Sequence, residues 1–94
     1  MTGIYILKSN DPEVKECYVG KTTNLYYRTT ALRFHCCSLK SRYYNTGFNR
    51  LIRSTGGFHN WSIQLLEVVF DKEKIKERLE YHRKKNNALL CYQR

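Results

Sequence analysis

Apolar and polar positions alternate in short blocks along the chain, and the blocks predict six elements. Ile4, Tyr5, Ile6 and Leu7 form an apolar, β-branched and aromatic run from Gly3 to Lys8 with no helical surroundings, which predicts a strand. Asn10, Asp11 and Pro12 supply turn chemistry between Ser9 and Glu16. Cys17, Tyr18 and Val19 predict a second short strand stopped by Gly20, so the two strands read as an antiparallel hairpin. Asn24 is placed as a helix N-cap. Leu25, Leu32 and Cys36 then recur at helical spacing, with Leu39 extending the stripe. Phe48, Leu51 and Ile52 share one face of a short helix that Gly56 and Gly57 stop. Trp61, Ile63 and Leu65 alternate as a strand. Leu66, Val68 and Phe70 continue on the other parity, which predicts a bulge or change of face near Glu67. Asp71 caps a last helix with Ile75, Leu79 and His82 on its apolar face. The order is β-β-α-α-β-α, an α/β arrangement of the α+β type, with a small three-stranded, mainly antiparallel sheet flanked by helices.

Ninety-four residues allow one domain, read as 1–94. Hydrophobic residues at 41% support a core, and no apolar run is long enough to cross a membrane. No signal peptide is visible, which points to an intracellular protein and makes free thiols the expectation for Cys17, Cys36, Cys37 and Cys91. Only His35, Cys36 and Cys37 cluster, and adjacent helical residues point apart, so the spacing does not suit zinc.

Charge changes the picture more. The formal net charge is +9, and between Glu16 and Glu67 there is no acid at all. That stretch holds Lys21, Arg28, Arg33, Lys40, Arg42, Arg50 and Arg53. A one-signed surface repels itself without an acidic partner, and polyphosphate is the commonest one. Arg28 lies three residues past Leu25 and so borders the inward helix face, an unusual place for a bystander cation. Singly, Tyr5 and Tyr18 read as ordinary strand aromatics in a chain with eight tyrosines. Glu80 alone reads as a partner of Lys76 and Lys84 at i, i±4.

Together these residues carry a resemblance. Gly3-Ile4-Tyr5 followed by Tyr18-Val19-Gly20 resembles the GIY-YIG nuclease signature, with Val for the second Ile. Lys21 to Leu25 and Arg28, ten residues past Tyr18, are similar to the segment after the second triplet in that family. Leu51 to Gly56, Trp61-Ser62-Ile63 and Leu65-Leu66-Glu67 resemble the middle of the domain in phage, viral and mobile-intron (homing) branches. Glu77-Arg78-Leu79-Glu80-Tyr81 resembles the helix carrying the family's metal-binding Glu. The resemblance runs in order over almost the whole chain.

It implies a DNA endonuclease that hydrolyses phosphodiesters one strand at a time with Mg2+ or Mn2+. In its terms Tyr5 is the general base and Tyr18 places water and phosphate. Arg28 faces the scissile phosphate, and Glu80 binds the one metal ion, with Glu77 as fallback. Lys21 adds positive charge near the phosphate. The family's His, four residues after the Arg, is Leu32 here, which leaves His35 as candidate. The family's late Asn falls near Cys91, with Asn86 and Asn87 earlier. Arg33, Lys40, Arg42, Arg50 and Arg53 are left as the DNA-holding surface.

Other classes compete. One is a catalytically weak nucleic-acid-binding module of the same fold. Another is an acid-x-Lys nuclease built on Asp11 to Lys15, which the turn residues there disfavour. A third is a zinc-bound interaction module. No protein partner is deducible, and a monomer or a DNA-induced dimer is expected. Without an appended DNA-binding region the chain reads as a free-standing small nuclease or as the catalytic domain of a longer protein.

Overall fold

The computed structural model describes residues 1–45 and 47–88. Its elements are β1 (Thr2–Ser9), β2 (Cys17–Thr22), α1 (Leu25–Cys37), α2 (Gly47–Ser54), β3 (Trp61–Val69) and α3 (Ile75–Asn86). β1 is the central strand of an antiparallel sheet ordered β2-β1-β3. The predicted order and class are therefore observed.

Successive side chains of β1 point to opposite faces, yet Ile4, Tyr5, Ile6 and Leu7 are all buried, because both faces of the sheet are covered. On one face Ile4, Ile6, Cys17, Val19 and Val69 form a cluster with Leu79 of α3, and Ile75 packs against it. On the other, Leu7 meets Cys36 of α1, Phe48 and Ile52 of α2, Phe58 and Trp61. The core is two layers separated by one sheet.

The register aligns Tyr5 with Gly20, Leu7 with Tyr18, and Ile4 with Lys21. Directly paired residues share a face, so Tyr5, Leu7 and Tyr18 look toward α1 and α2. Gly20 does not end β2, which continues to Thr22. The expected irregularity in β3 is a register shift: Ile4 pairs with Glu67 while Tyr5 pairs with Leu65, leaving Leu66 extra. The shift turns Glu67 toward α3. There its carboxylate accepts from Arg78 Nε at 3.0 and 3.1 Å and lies 2.8 Å from His82 Nε2. The His82 hydrogen bond, and then Arg78, hold the Glu67 carboxyl below its ordinary value.

Helix ends differ in detail from the apolar pattern. α1 stops at Cys37, and Leu39 is exposed beyond it rather than extending the stripe. Arg53 Nη1 donates to Cys36 O at 2.7 Å, satisfying a carbonyl that the last helical turn leaves open. Gly57, at φ 87°, donates its N–H to Ile52 O after α2, a left-handed exit that costs glycine nothing. Asp71 does cap, but it caps a 3-10 turn (Lys72–Lys74) through Glu73 N, and α3 begins only at Ile75.

Candidate active site

The hairpin register builds the first half of the site. A Cβ on Gly20 would stand 2.7 Å from Tyr5 Oη, 2.9 Å from Tyr5 Cζ and 2.7 Å from Tyr18 Cε2. No side chain fits there, so the phenol of Tyr5 lies across β2 where any other residue would push it off. The Tyr5 and Tyr18 rings pack at 6.1 Å and 49°. Tyr18 continues onto Phe48 of α2 at 6.0 Å.

α1 brings the cation. Asn24 Oδ1 accepts from Tyr27 N at 3.0 Å, and Thr22 Oγ1 accepts from Asn24 N at 3.1 Å, which ties the helix start to the end of β2. Arg28 sits in the first turn and donates Nε to Tyr5 Oη at 3.2 Å. Arg28 also interacts with the Tyr18 hydroxyl. Three of the residues singled out in the sequence therefore meet: Tyr5, Tyr18 and Arg28.

Burial pushes the Tyr5 phenol up to about 12, and the opposing pull of Arg28 does not overcome it. The bond to Tyr5 in turn raises Arg28. At neutral pH Tyr5 is thus a neutral phenol that accepts from a permanent cation and keeps its own hydrogen to donate. An absorbance titration is expected to show one tyrosine ionising near pH 12. Tyr5→Phe should remove that late phase, and its persistence in the variant would assign it elsewhere.

His35 lies two turns past Arg28 on the same helix side. Its Nδ1 is 2.8 Å from Ser41 Oγ, which also accepts from Tyr43 N at 3.1 Å. The Tyr43 ring meets the imidazole edge-on at 4.9 Å. Burial lowers the His35 pKa, and the charges of Arg28 and then Arg42 lower it further, so a neutral imidazole stands among cations. His35 is therefore within electrostatic reach of the Tyr5–Arg28 pair, whereas Leu32 packs into the core. Ser41 and Tyr43 were not among the sequence candidates. Their only signal was the loop between two helices.

Lys21 and Glu80 lie elsewhere. Lys21 pairs with Ile4, is exposed, and is on the sheet face that α3 covers. Glu80 is exposed on α3. Three residues on, Arg83 Nε donates to Val19 O of β2 at 3.1 Å, so that side of α3 borders the outer edge of β2. Glu80 thus lies on the helix that covers the sheet face opposite Tyr5 and Tyr18. The ion pairs found among the described residues belong to Glu67, and none joins Glu80 to Lys76 or Lys84. Among the described residues no three His, Cys, Asp or Glu side chains gather as a metal cage. Asn86 Nδ2 donates to His82 O, its carbonyl accepts from Cys17 Sγ, and Asn87 takes the left-handed position that ends α3. Cys91 lies outside the described residues. Cys17, Cys36 and Cys37 are free thiols, as expected.

The basic residues divide. Lys40 and Arg50 are exposed. Arg33 lies over the Phe58 ring at 5.6 Å, and Arg42 over Tyr43 at 5.2 Å. Arg53 stacks on Tyr44 at 3.7 Å while holding Cys36 O, so its guanidinium is occupied in joining α2 to α1.

Compared with known proteins, residues 1–90 match the family model of the GIY-YIG catalytic domain. No curated protein and no solved structure matches.

Proposed function

The chain belongs to the GIY-YIG family, a nuclease family acting on DNA, and on that premise we propose that it is a divalent-metal-dependent endonuclease hydrolysing one phosphodiester per active site. The observation that carries the proposal is the Arg28 guanidinium held on the Tyr5 hydroxyl, with the Tyr5 and Tyr18 rings packed together.

A Mg2+ site needs only one or two carboxylates, since phosphate oxygens and water complete its octahedron. Glu80, exposed and without an ion pair among the described residues, fits that demand where those residues form no cage of several ligands. Mg2+ or Mn2+ bound there supplies Lewis-acid stabilisation of phosphate and leaving-oxygen charge.

The chain's own groups do the rest. Arg28 spends Nε on Tyr5 and also engages the Tyr18 hydroxyl, and the remaining N–H donors of its guanidinium serve the scissile phosphate, where they offset charge that grows in the transition state. Tyr5 takes the proton of the attacking water through the minority phenolate, which increases about tenfold per pH unit below its pKa. A phosphorus–oxygen bond forms to that water as the bond to the leaving sugar oxygen breaks, and the leaving oxygen takes a proton from solvent. Tyr18, packed on both Tyr5 and Phe48, fixes the ring beside the phosphate.

The test is incubation with supercoiled DNA. Relaxed circles are expected with Mg2+ or Mn2+ and are expected to vanish with chelator. A second reading is a binding module with the same fold, favoured by the high pKa of Tyr5 and by Leu32 at the family's usual His. Binding with no nicking under either metal and across salt concentrations would establish it and overturn the first.

A further inference from the structure

One aromatic ring in the loop after α1 carries two basic side chains. The His35 imidazole and the Tyr43 ring meet edge-on at 4.9 Å, and the Arg42 guanidinium lies over that same ring at 5.2 Å. Ser41 is buried, and its hydroxyl accepts from Tyr43 N at 3.1 Å. The hydroxyl hydrogen finds its acceptor among the described residues in His35 Nδ1, at 2.8 Å. A neutral imidazole that accepts at one nitrogen carries its hydrogen on the other, so the tautomer is Nε2–H. Nε2 has no partner among the described residues, and no side-chain nitrogen or oxygen among them is buried without one, so Nε2 opens to solvent. A fixed N–H donor therefore stands beside a guanidinium that forms no ion pair among the described residues.

Charge decides the ligand. The charges that act on His35 are those of Arg28 on its own helix and Arg42 in the loop, and Tyr43 is the titratable ring against it. α2 adds the neutral amide of Asn49, whose Nδ2 donates to His35 O at 3.5 Å, and the Arg53 guanidinium on the next carbonyl. No acid occurs between Glu16 and Glu67 to compensate these cations. An anion from outside does so, and phosphate oxygens accept from an imidazole N–H and a guanidinium together. This is not the phosphate that Arg28 takes. His35 stands seven residues past Arg28, about 10 Å of helix rise, and Arg28 is turned to Tyr5 and Tyr18. One phosphate does not span that distance, whereas a DNA strand sets its phosphates about 3.4 Å apart along the axis.

We propose that His35 Nε2–H and Arg42 form a subsite for a second backbone phosphate, further along the bound strand than the one at Arg28. The nuclease reading enters only in making the phosphate at Arg28 the scissile one. His35 then acts in binding rather than in proton transfer during cleavage. Filling the subsite also couples binding to a proton. Burial and the two guanidiniums keep His35 neutral in the free protein, and a phosphate there offsets their charge and favours the imidazolium. The complex thus holds a proton that the free protein lacks. Affinity rises as pH falls from the bound-state pKa to the free-state one, by at most about tenfold per unit.

The experiment uses the full chain, a short DNA duplex and chelator, so that nothing is cut. The His35 Cε1–H resonance, identified by its loss in His35→Gln, is titrated by NMR with and without DNA. Its midpoint should move up by about one pH unit on binding, and Arg42→Ala should move the midpoint of the free protein upward because one of the two cations is gone. Anisotropy should show parent affinity rising from about pH 8 to about pH 5.5. His35→Gln keeps an N–H donor and does not titrate, so it should bind within about threefold of the parent at the high end and lose the rise. Arg42→Ala should lower affinity at every pH and reduce the slope of log affinity against log salt by about 0.9, the share of one phosphate. Melting temperatures check that each variant is folded. An unmoved His35 midpoint on binding, or an unchanged salt slope in Arg42→Ala, overturns the proposal. So does a His35→Gln variant that binds like the parent at every pH yet nicks far more slowly with Mg2+, which assigns the imidazole to the cleavage step. A moved midpoint in a protein that nicks nothing removes the nuclease reading and still supports the subsite.

Discussion

Arg28→Ala is expected to lower the nicking rate about a thousandfold while changing DNA affinity far less. The magnitude reflects the contribution of one well-placed cationic donor to a phosphoryl transition state. Arg28 is one of many cations on this surface, so its share of ground-state attraction is small. At the phosphate its planar fork is matched to two oxygens as charge accumulates. The variant also strips the buried Tyr5 hydroxyl of the bond it accepts at 3.2 Å. A stability loss of about 1–3 kcal/mol is expected from that alone, and a melting curve separates it from the catalytic loss. Arg28→Lys should restore little, because a compact ammonium lacks the planar fork that presents parallel N–H donors to two phosphate oxygens while bonding Tyr5. An alanine variant that nicks within about threefold of the parent would remove Arg28 from the chemistry.

Glu80→Gln is expected to reduce nicking at limiting Mg2+ by about a hundredfold or more, the range that several kcal/mol of Lewis-acid stabilisation implies. Stability should barely change, within about 0.5 kcal/mol, since Glu80 is exposed and forms no ion pair among the described residues. The signature is a metal dependence displaced to higher concentration, with part of the rate returning as Mg2+ or Mn2+ is raised. Unchanged metal dependence in this variant would move the role to another carboxylate, with Glu77 one turn earlier on α3 the first to test.

Much of the fold was legible because strand and helix periods are local properties. The parity change in β3 pointed to an irregularity near Glu67, and the register shift falls beside it, with Leu66 the extra residue. Leu39 misled because apolar spacing carries on past a helix end. The helix stops at Cys37 with Ser38 extended, and the Cys36 carbonyl left at that end is met by a guanidinium seventeen residues further along. Arg53 has a structural part that its place in an acid-free run does not show: it bonds Cys36 O and stacks on Tyr44.

The candidate site was legible as residue types in order. Tyr5, Tyr18 and Arg28 stand at motif spacing, and the acid-free stretch between Glu16 and Glu67 marks the partner as anionic. That much needs no coordinates, because charge composition and short motifs are carried by the chain itself. Tertiary structure decided the rest. Pairing register set Gly20 under the Tyr5 ring, and burial then pushed that phenol up to about 12 rather than down toward a ready base. Helix phase brought His35 beside Arg28 and turned Tyr27 and Phe34 outward. The two-faced sheet put Glu80 on the helix opposite the face that Tyr5 and Tyr18 share. Each of these depends on which surfaces exclude water and which atoms face one another across the sheet. Those relations come into being only when distant segments pack.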